Sequence, residues 1–295
     1  MKDVKCVSIV RSGYDHVYTN LRRAIHLGGG LNVKDHESVV IKINLCDFRT
    51  PETGAITHPI FLEAVLRYLR ENYQGLKIYV VESDATVARP DLFIRWFGFL
   101  PILQKWGAVW RNLSKEKTVT KDINGLYFQK LEVPQIFEDS YCITLPKMKT
   151  SSVTKISCAL KNQFGCIPTR RKIVFHPKID DVIVDANLAM RPNFCIVDGI
   201  IGMGGSQGPA FGVPLPAHVI VAGGDPVAVD TVCARIMGFN PFFIGHIQKA
   251  AKSNVGSTRY KVLGNQIKEV KANFRWSILE AFVIKVGEYL QSRVK

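Results

Sequence analysis

Six short apolar, β-branched runs punctuate the chain, at Val4–Val10, Ser38–Leu45, Lys77–Val81, Tyr141–Leu145, Asn193–Val197 and His218–Ala222. Each ends near Asp, Glu, Asn, Gly or Lys, as a strand buried on both faces does where it emerges at the rim of a sheet. Between the runs lie stretches with helical periodicity: over Pro59–Asn72, the side chains of Phe61, Leu62, Val65, Leu66 and Leu69 share one stripe. This alternation predicts an α/β fold, a mostly parallel sheet with helices on both faces. A chain of 295 residues that is 47% hydrophobic has enough apolar surface for one large core. We expect residues 1–272 to form a single α/β domain and residues 273–295 a C-terminal amphipathic helix. In that helix Glu280, Lys285 and Glu288 interrupt the apolar stretch from Ser277 to Leu290, so no membrane span is expected. The segment Trp106–Leu131, with Asn124-Gly125 between two apolar stretches, reads as a hairpin at a sheet edge or a small β excursion.

Ligands of such sheets bind at the carboxyl ends of the strands, which selects Asn44, Glu82, Asp84, Lys147, Lys149, Asp198 and Asp225. Charge points to the same region. The formal net charge is +14, and the stretch Ser140–Lys178 holds no Asp or Glu while it carries Lys147, Lys149, Lys155, Lys161, Arg170, Arg171, Lys172 and Lys178. A basic excess favours anionic partners, whether phosphorylated metabolites, polyanions or an acidic protein. Read as a helix following a Lys147-Met148-Lys149-Thr150 turn, the next segment puts Ile156, Ala159, Leu160 and Phe164 on its core side and Thr154, Cys158 and Lys161 opposite. Ser151, Ser152 or Thr154 would cap it, and its free N–H groups beside Lys147 and Lys149 would suit an anion. Arg170, Arg171 and Lys172 read as a solvated loop trio.

Two further segments bear on a site. Asp198–Pro209, with Gly199, Gly202, Gly204, Gly205 and Gly208, reads as a long glycine-rich loop that is neither a Walker A loop nor a dinucleotide fingerprint. Its glycines would bring backbone N–H groups to a ligand or simply form turns. Asp225-Pro226 is a strong helix start, with Val229, Val232, Cys233 and Ile236 as the buried stripe. Asp230, flanked by buried positions, must pair with a cation or face the cleft. The seven cysteines form no C-x-x-C pair, so they read as core thiols rather than as a zinc or iron–sulfur site. With an apolar start that reads as a strand instead of a secretory leader, they point to the cytoplasm. Among the histidines, His58 and His176 each precede a proline near polar candidates.

The succession Ile41-Lys42-Ile43-Asn44-Leu45, Pro146-Lys147-Met148-Lys149-Thr150, Ala159-Leu160-Lys161-Asn162-Gln163-Phe164-Gly165, His176, Val197-Asp198-Gly199 and Asp225-Pro226-Val227-Ala228-Val229-Asp230 resembles the family called domain of unknown function 362. The match runs in order along nearly the whole chain. Members of that family often carry a ferredoxin-like iron–sulfur module, whose cysteine pattern this sequence lacks. Ser151 stands where the family's lysine-threonine turn commonly continues with His. A more distant likeness is to nickel-dependent lactate racemase, which implies that Lys161 contacts a nucleotide-derived nickel cofactor and that His176, the sole metal candidate, binds the ion.

The reading that joins these features is an enzyme that binds a small carboxylated or phosphorylated substrate or cofactor in a lysine-rich cleft, with racemase- or isomerase-like proton transfer. Lys161 and His176 are its candidate catalytic residues. Lys42, Asn44, Lys147, Lys149, Asn162, Asp198 and Asp230 are its candidate anion-binding residues. The alternatives are a nucleic-acid binder, against which stands the lack of aromatic residues interleaved with the lysines, and a docking partner for an acidic iron–sulfur protein.

Overall fold

The structure is a computed structural model that describes residues 4–33, 38–205 and 212–274. Twelve strands appear in these residues: β1 (Lys5–Arg11), β2 (Ser38–Lys42), β3 (Lys77–Glu82), β4 (Ala108–Asn112), β5 (Thr118–Asp122), β6 (Lys130–Pro134), β7 (Ser140–Thr144), β8 (Lys147–Ser151), β9 (Lys155–Ser157), β10 (Phe194–Gly204), β11 (Val213–Gly223) and β12 (Tyr260–Gly264). The helices used below are α1 (Val17–Leu27), α2 (Pro59–Asn72), α3 (Pro90–Trp96), α4 (Phe99–Lys105), α5 (Ala159–Phe164), α6 (Ile179–Ala189), α7 (Pro226–Ile236) and α8 (Gly245–Lys252). The main sheet runs β12-β1-β11-β10-β7-β2-β3-β4, with β8 pairing β10 and β9. Its ladders are parallel except those of β11 with β1 and β10, and of β9 with β8. The expected α/β architecture, mostly parallel with helices on both faces, is the one observed.

The two-residue period of the strands divides the core. In β2, Val39 and Ile41 pack with the buried faces of α1 to α4, while Val40 faces the layer that contains α5 to α8. Lys42 continues the second set, so the same alternation that builds the core turns a lysine toward α5. Helix α2 forms over the span its apolar stripe predicts, with Pro59 at its first position and His58 Nδ1 accepting from the Ile60 N–H at 3.3 Å. Helix α7 starts where the Asp225-Pro226 signal places it, and the Asp225 carboxylate accepts from the Val227 and Ala228 N–H groups at 2.9 and 3.0 Å.

Two local expectations change. The stretch expected as a glycine loop from Asp198 is strand as far as Gly204, because β10 and β11 extend as one antiparallel pair with an irregularity between Gly199 and Ile201. A side chain at Gly202 would lie 2.5 Å from the Met148 carbonyl oxygen, so this glycine permits close strand approach. Ser206 to Pro209 lie outside the described residues. Second, Lys147–Thr150 is strand, not turn: β8 resumes the line of β7 after Pro146, turns back through β9, and leaves helix only from Ala159. The segment Trp106–Leu131 takes the second of its two expected forms: β4 joins the edge of the main sheet beside β3, and Asn124-Gly125 lies between β5 and β6, which pair separately as a small β excursion. The loop between those strands, with Asn124 at φ 44°, is held by the Asp185 carboxylate, which accepts from the N–H groups of Leu126, Tyr127 and Phe128. Of the proposed C-terminal helix, residues 275–295 lie outside the described residues. Phe274 is buried against Gly202 of β10. No helix among the described residues is long and apolar enough to cross a membrane.

Candidate functional site

The carboxyl ends of β2 and β3, strand β8 and helix α5 enclose a cavity of about 350 Å³. Lys42, Asn44, Lys149, Lys161, Asn162 and His176, six of the nine candidate residues, line it. At its base the buried Lys42 ammonium pairs with Glu82 at 2.7 Å and donates to the Ile43 carbonyl at 2.8 Å. Asn162 ties this floor together. Its Nδ2 donates to the Lys42 carbonyl at 3.1 Å and to Thr144 Oγ1 at 2.9 Å, and its Oδ1 accepts from Asn44 Nδ2 at 3.1 Å. Asn44 Oδ1 in turn accepts from Lys149 Nζ at 2.7 Å, which also donates to the Ala55 carbonyl at 2.7 Å and to Cys46 Sγ at 3.2 Å. The Gly165 position explains the end of the α5 motif, since a Cβ there would sit 2.8 Å from Lys42 Nζ and 3.0 Å from Glu82 Oε1.

Lys161 projects from α5 on the side away from the core stripe, as its spacing predicts. Its ammonium donates to Ser151 Oγ at 2.7 Å. Burial pushes it down to about 8, and the Lys149 charge acts in the same direction. His176 stands at the rim, where burial and then the Lys161 charge lower its affinity for a proton.

Lys172 is the residue that sequence reasoning missed. Expected to be solvated with Arg170 and Arg171, it is instead buried, while both arginines are exposed. Its ammonium donates to Ser83 Oγ and the Asp84 carbonyl, each at 2.7 Å, and burial pushes it down to about 8 against the opposing pull of Glu82. Charge spacing offers no signal for this, because three consecutive basic residues look alike until the chain folds. Among the described residues the cavity is therefore lined by four lysines against one carboxylate, Glu82.

Three candidates lie elsewhere. Lys147 and Asp198 form a fully buried ion pair at 2.8 Å, with Tyr14 Oη donating to Asp198 at 3.1 Å, outside the cavity. They are aligned neighbours on parallel strands, whereas Lys149, two residues on, pairs with Met203 because β10 shifts register between the two contacts. Asp230 neither lines the cleft nor pairs with a lysine. From α7 its carboxylate accepts from the N–H groups of Ala159 and Leu160 at 2.7 and 3.1 Å, so it caps the helix that carries Lys161 and Asn162.

Burial pushes the Asp230 carboxyl up to about 7, against the two N–H donors that pull it down. A carboxyl raised in the folded state contributes stability that is complete below its unfolded value of 3.8 and lost as pH rises through about 7. Asp230→Asn lacks that dependence. The wild-type margin over the variant in urea unfolding should narrow from about pH 5 to about pH 8, and a widening margin would contradict the assignment.

The likeness to nickel-dependent lactate racemase asks for a metal on His176. Among the described residues no group of three or more His, Cys, Asp or Glu side chains is placed to hold a metal ion, and Cys46 is the other soft donor in the cavity. This donor set does not build a metal site from the protein alone.

The family described as Domain of unknown function (DUF362) matches residues 39–235, more than half of the chain. The chain belongs to the DUF362 family. A thylakoid-associated protein of Synechocystis sp. is 28% identical over 252 residues, covering 81% of this chain and 76% of that protein. Among solved structures, the lactate racemase apoprotein from Thermoanaerobacterium thermosaccharolyticum is similar with a TM-score of 0.42 and 14% identity, over 79% of this chain. This DUF362 chain spans 57% of that protein's length. The site residues sit on the family match: Lys42, Asn44, Lys149, Lys161, Asn162, Lys172 and His176 all fall within it.

Proposed function

We propose that this DUF362 protein is an enzyme that binds a small carboxylated or phosphorylated molecule in the lysine cavity and moves a proton at a carbon beside the anionic group. The observation that carries this reading is the imbalance of four lysines against Glu82 around one cavity, with no carboxylate among the described residues hydrogen-bonded to the Lys161 ammonium. Lys149 and Lys172 would neutralise the anion, and Asn44 and Asn162 would orient it. Lys161, pushed down to about 8, exchanges its proton near neutral pH more readily than an ordinary lysine, and His176 at the rim is the second exchangeable group. Racemase- or isomerase-like chemistry fits this set.

A nucleic-acid partner has less support. Lys42, Lys149 and Lys172 are 0%, 2% and 5% exposed, too deep to meet a phosphodiester backbone. The seven cysteines are all free thiols, which supports the cytoplasm as the compartment.

Titration calorimetry with inorganic phosphate and with short mono- and dicarboxylates tests the reading. Lys161→Ala should weaken the tightest of these probes by about tenfold or more, the scale of one charge-assisted hydrogen bond. Undiminished binding by the variant would remove Lys161 from the site.

A further inference from the structure

The mouth of the cavity differs from its floor. Lys42, Lys149 and Lys172 are buried at the bottom, whereas Val87, Val153 and Ile173 stand around the opening, 77%, 44% and 50% exposed. These three come from separate segments: the loop after β3, the turn between β8 and β9, and the 3-10 turn Lys172–Lys178. Single exposed apolar residues are ordinary on a protein surface, but three converging on one opening from three segments form a patch with a shape. The cavity volume of about 350 Å³ is that of about a dozen liquid waters at roughly 30 Å³ each, more than a lone phosphate or a two-carbon acid fills.

We infer that the ligand is amphipathic, an acid whose carboxylate or phosphate reaches the lysine floor while an apolar body of several carbons lies against Val87, Val153 and Ile173. This rests on the anion-binding reading above and adds the ligand's class and direction. The orientation follows from desolvation. Glu82 already pairs Lys42, so a charged head left at the apolar mouth would leave the Lys149, Lys161 and Lys172 ammonium groups without an anion, whereas a head-down pose supplies one and covers the exposed rim with methylene groups. Short polar acids would use only the floor.

Calorimetry with acetate, hexanoate and uncharged hexanamide separates the possibilities. Hexanoate should bind about tenfold or more tightly than acetate, since each buried methylene is worth roughly fourfold in affinity and only part of the chain need be covered. Hexanamide should bind about tenfold or more weakly than hexanoate. The double variant Val87→Ser/Ile173→Ser, exposed at both positions and checked for an unchanged melting temperature, should reduce the hexanoate-to-acetate ratio several-fold. Equal affinity for acetate and hexanoate, both lost in Lys161→Ala, would overturn the amphipathic class and leave the anion site standing. Failure of inorganic phosphate and every acid to bind would overturn both. Hexanamide binding as tightly as hexanoate would overturn the head-down pose.

Discussion

Lys147→Ala is expected to lower the free energy of unfolding by about 3–5 kcal/mol, the range for stranding one partner of a buried ion pair. The Lys147 and Asp198 side chains are fully buried and 2.8 Å apart. Burial lowers the affinity of the ammonium for its proton, and the Asp198 carboxylate is what holds the charge in place. Without Lys147, Asp198 keeps, among the described residues, the Tyr14 hydroxyl and the Ile200 N–H, at 3.1 Å each, to offset a full buried charge. Removing both charges together, as Lys147→Met/Asp198→Asn, should recover much of the loss, because the larger part of it is the penalty of the unpaired carboxylate. Urea unfolding of the three proteins measures this. A single-variant loss below about 1 kcal/mol would place the pair in a wetter setting than the fold shows.

The second large effect is on ligand binding. Lys161 and Lys172 are both pushed down to about 8 by burial, so both carry a proton below that pH and lose it above. Affinity for a carboxylate probe should therefore hold steady from about pH 6 to about pH 7 and fall by about tenfold per unit for each lysine above pH 8. An anion whose site used ordinary lysines would show no such fall until about pH 10. Lys161→Gln should be weak throughout and show a shallower decline, because only Lys172 is left to titrate in that range. A wild-type profile flat to about pH 10 would overturn the role of both residues.

Much of the fold was legible because its determinants are local. The apolar runs, the α2 stripe and the Asp225-Pro226 start encode strand, helix and cap within a few residues of each other, and the structure reproduces them with shifts at the ends. The part of the site carried by short motifs was legible for the same reason: Lys42 and Asn44 end a strand, and Lys161 and Asn162 share a helix. The errors fall where a residue's role depends on a distant partner. Lys147 and Lys149 look equivalent in sequence, yet Asp198 neutralises one and Asn44 receives the other. Asp230 reads as a cleft residue or an ion-pair partner of a lysine, whereas the crossing of α7 beneath α5 makes it a helix cap, with the buried His246 Nε2 at 4.0 Å as its ionisable neighbour.

By itself, the sequence determined the α/β class, the positions of six main-sheet strands and of α2 and α7, and the basic, acid-free character of Ser140–Lys178, since these depend on periodicity and composition along the chain. Only the tertiary structure decided which lysines face the cavity, that Lys172 is among them and that Val87, Val153 and Ile173 surround its mouth. Burial and pairing are properties of the space between elements. A lysine's charge is written in its side chain, but whether that charge is neutralised, solvated or left facing a cavity is set by what the fold brings next to it.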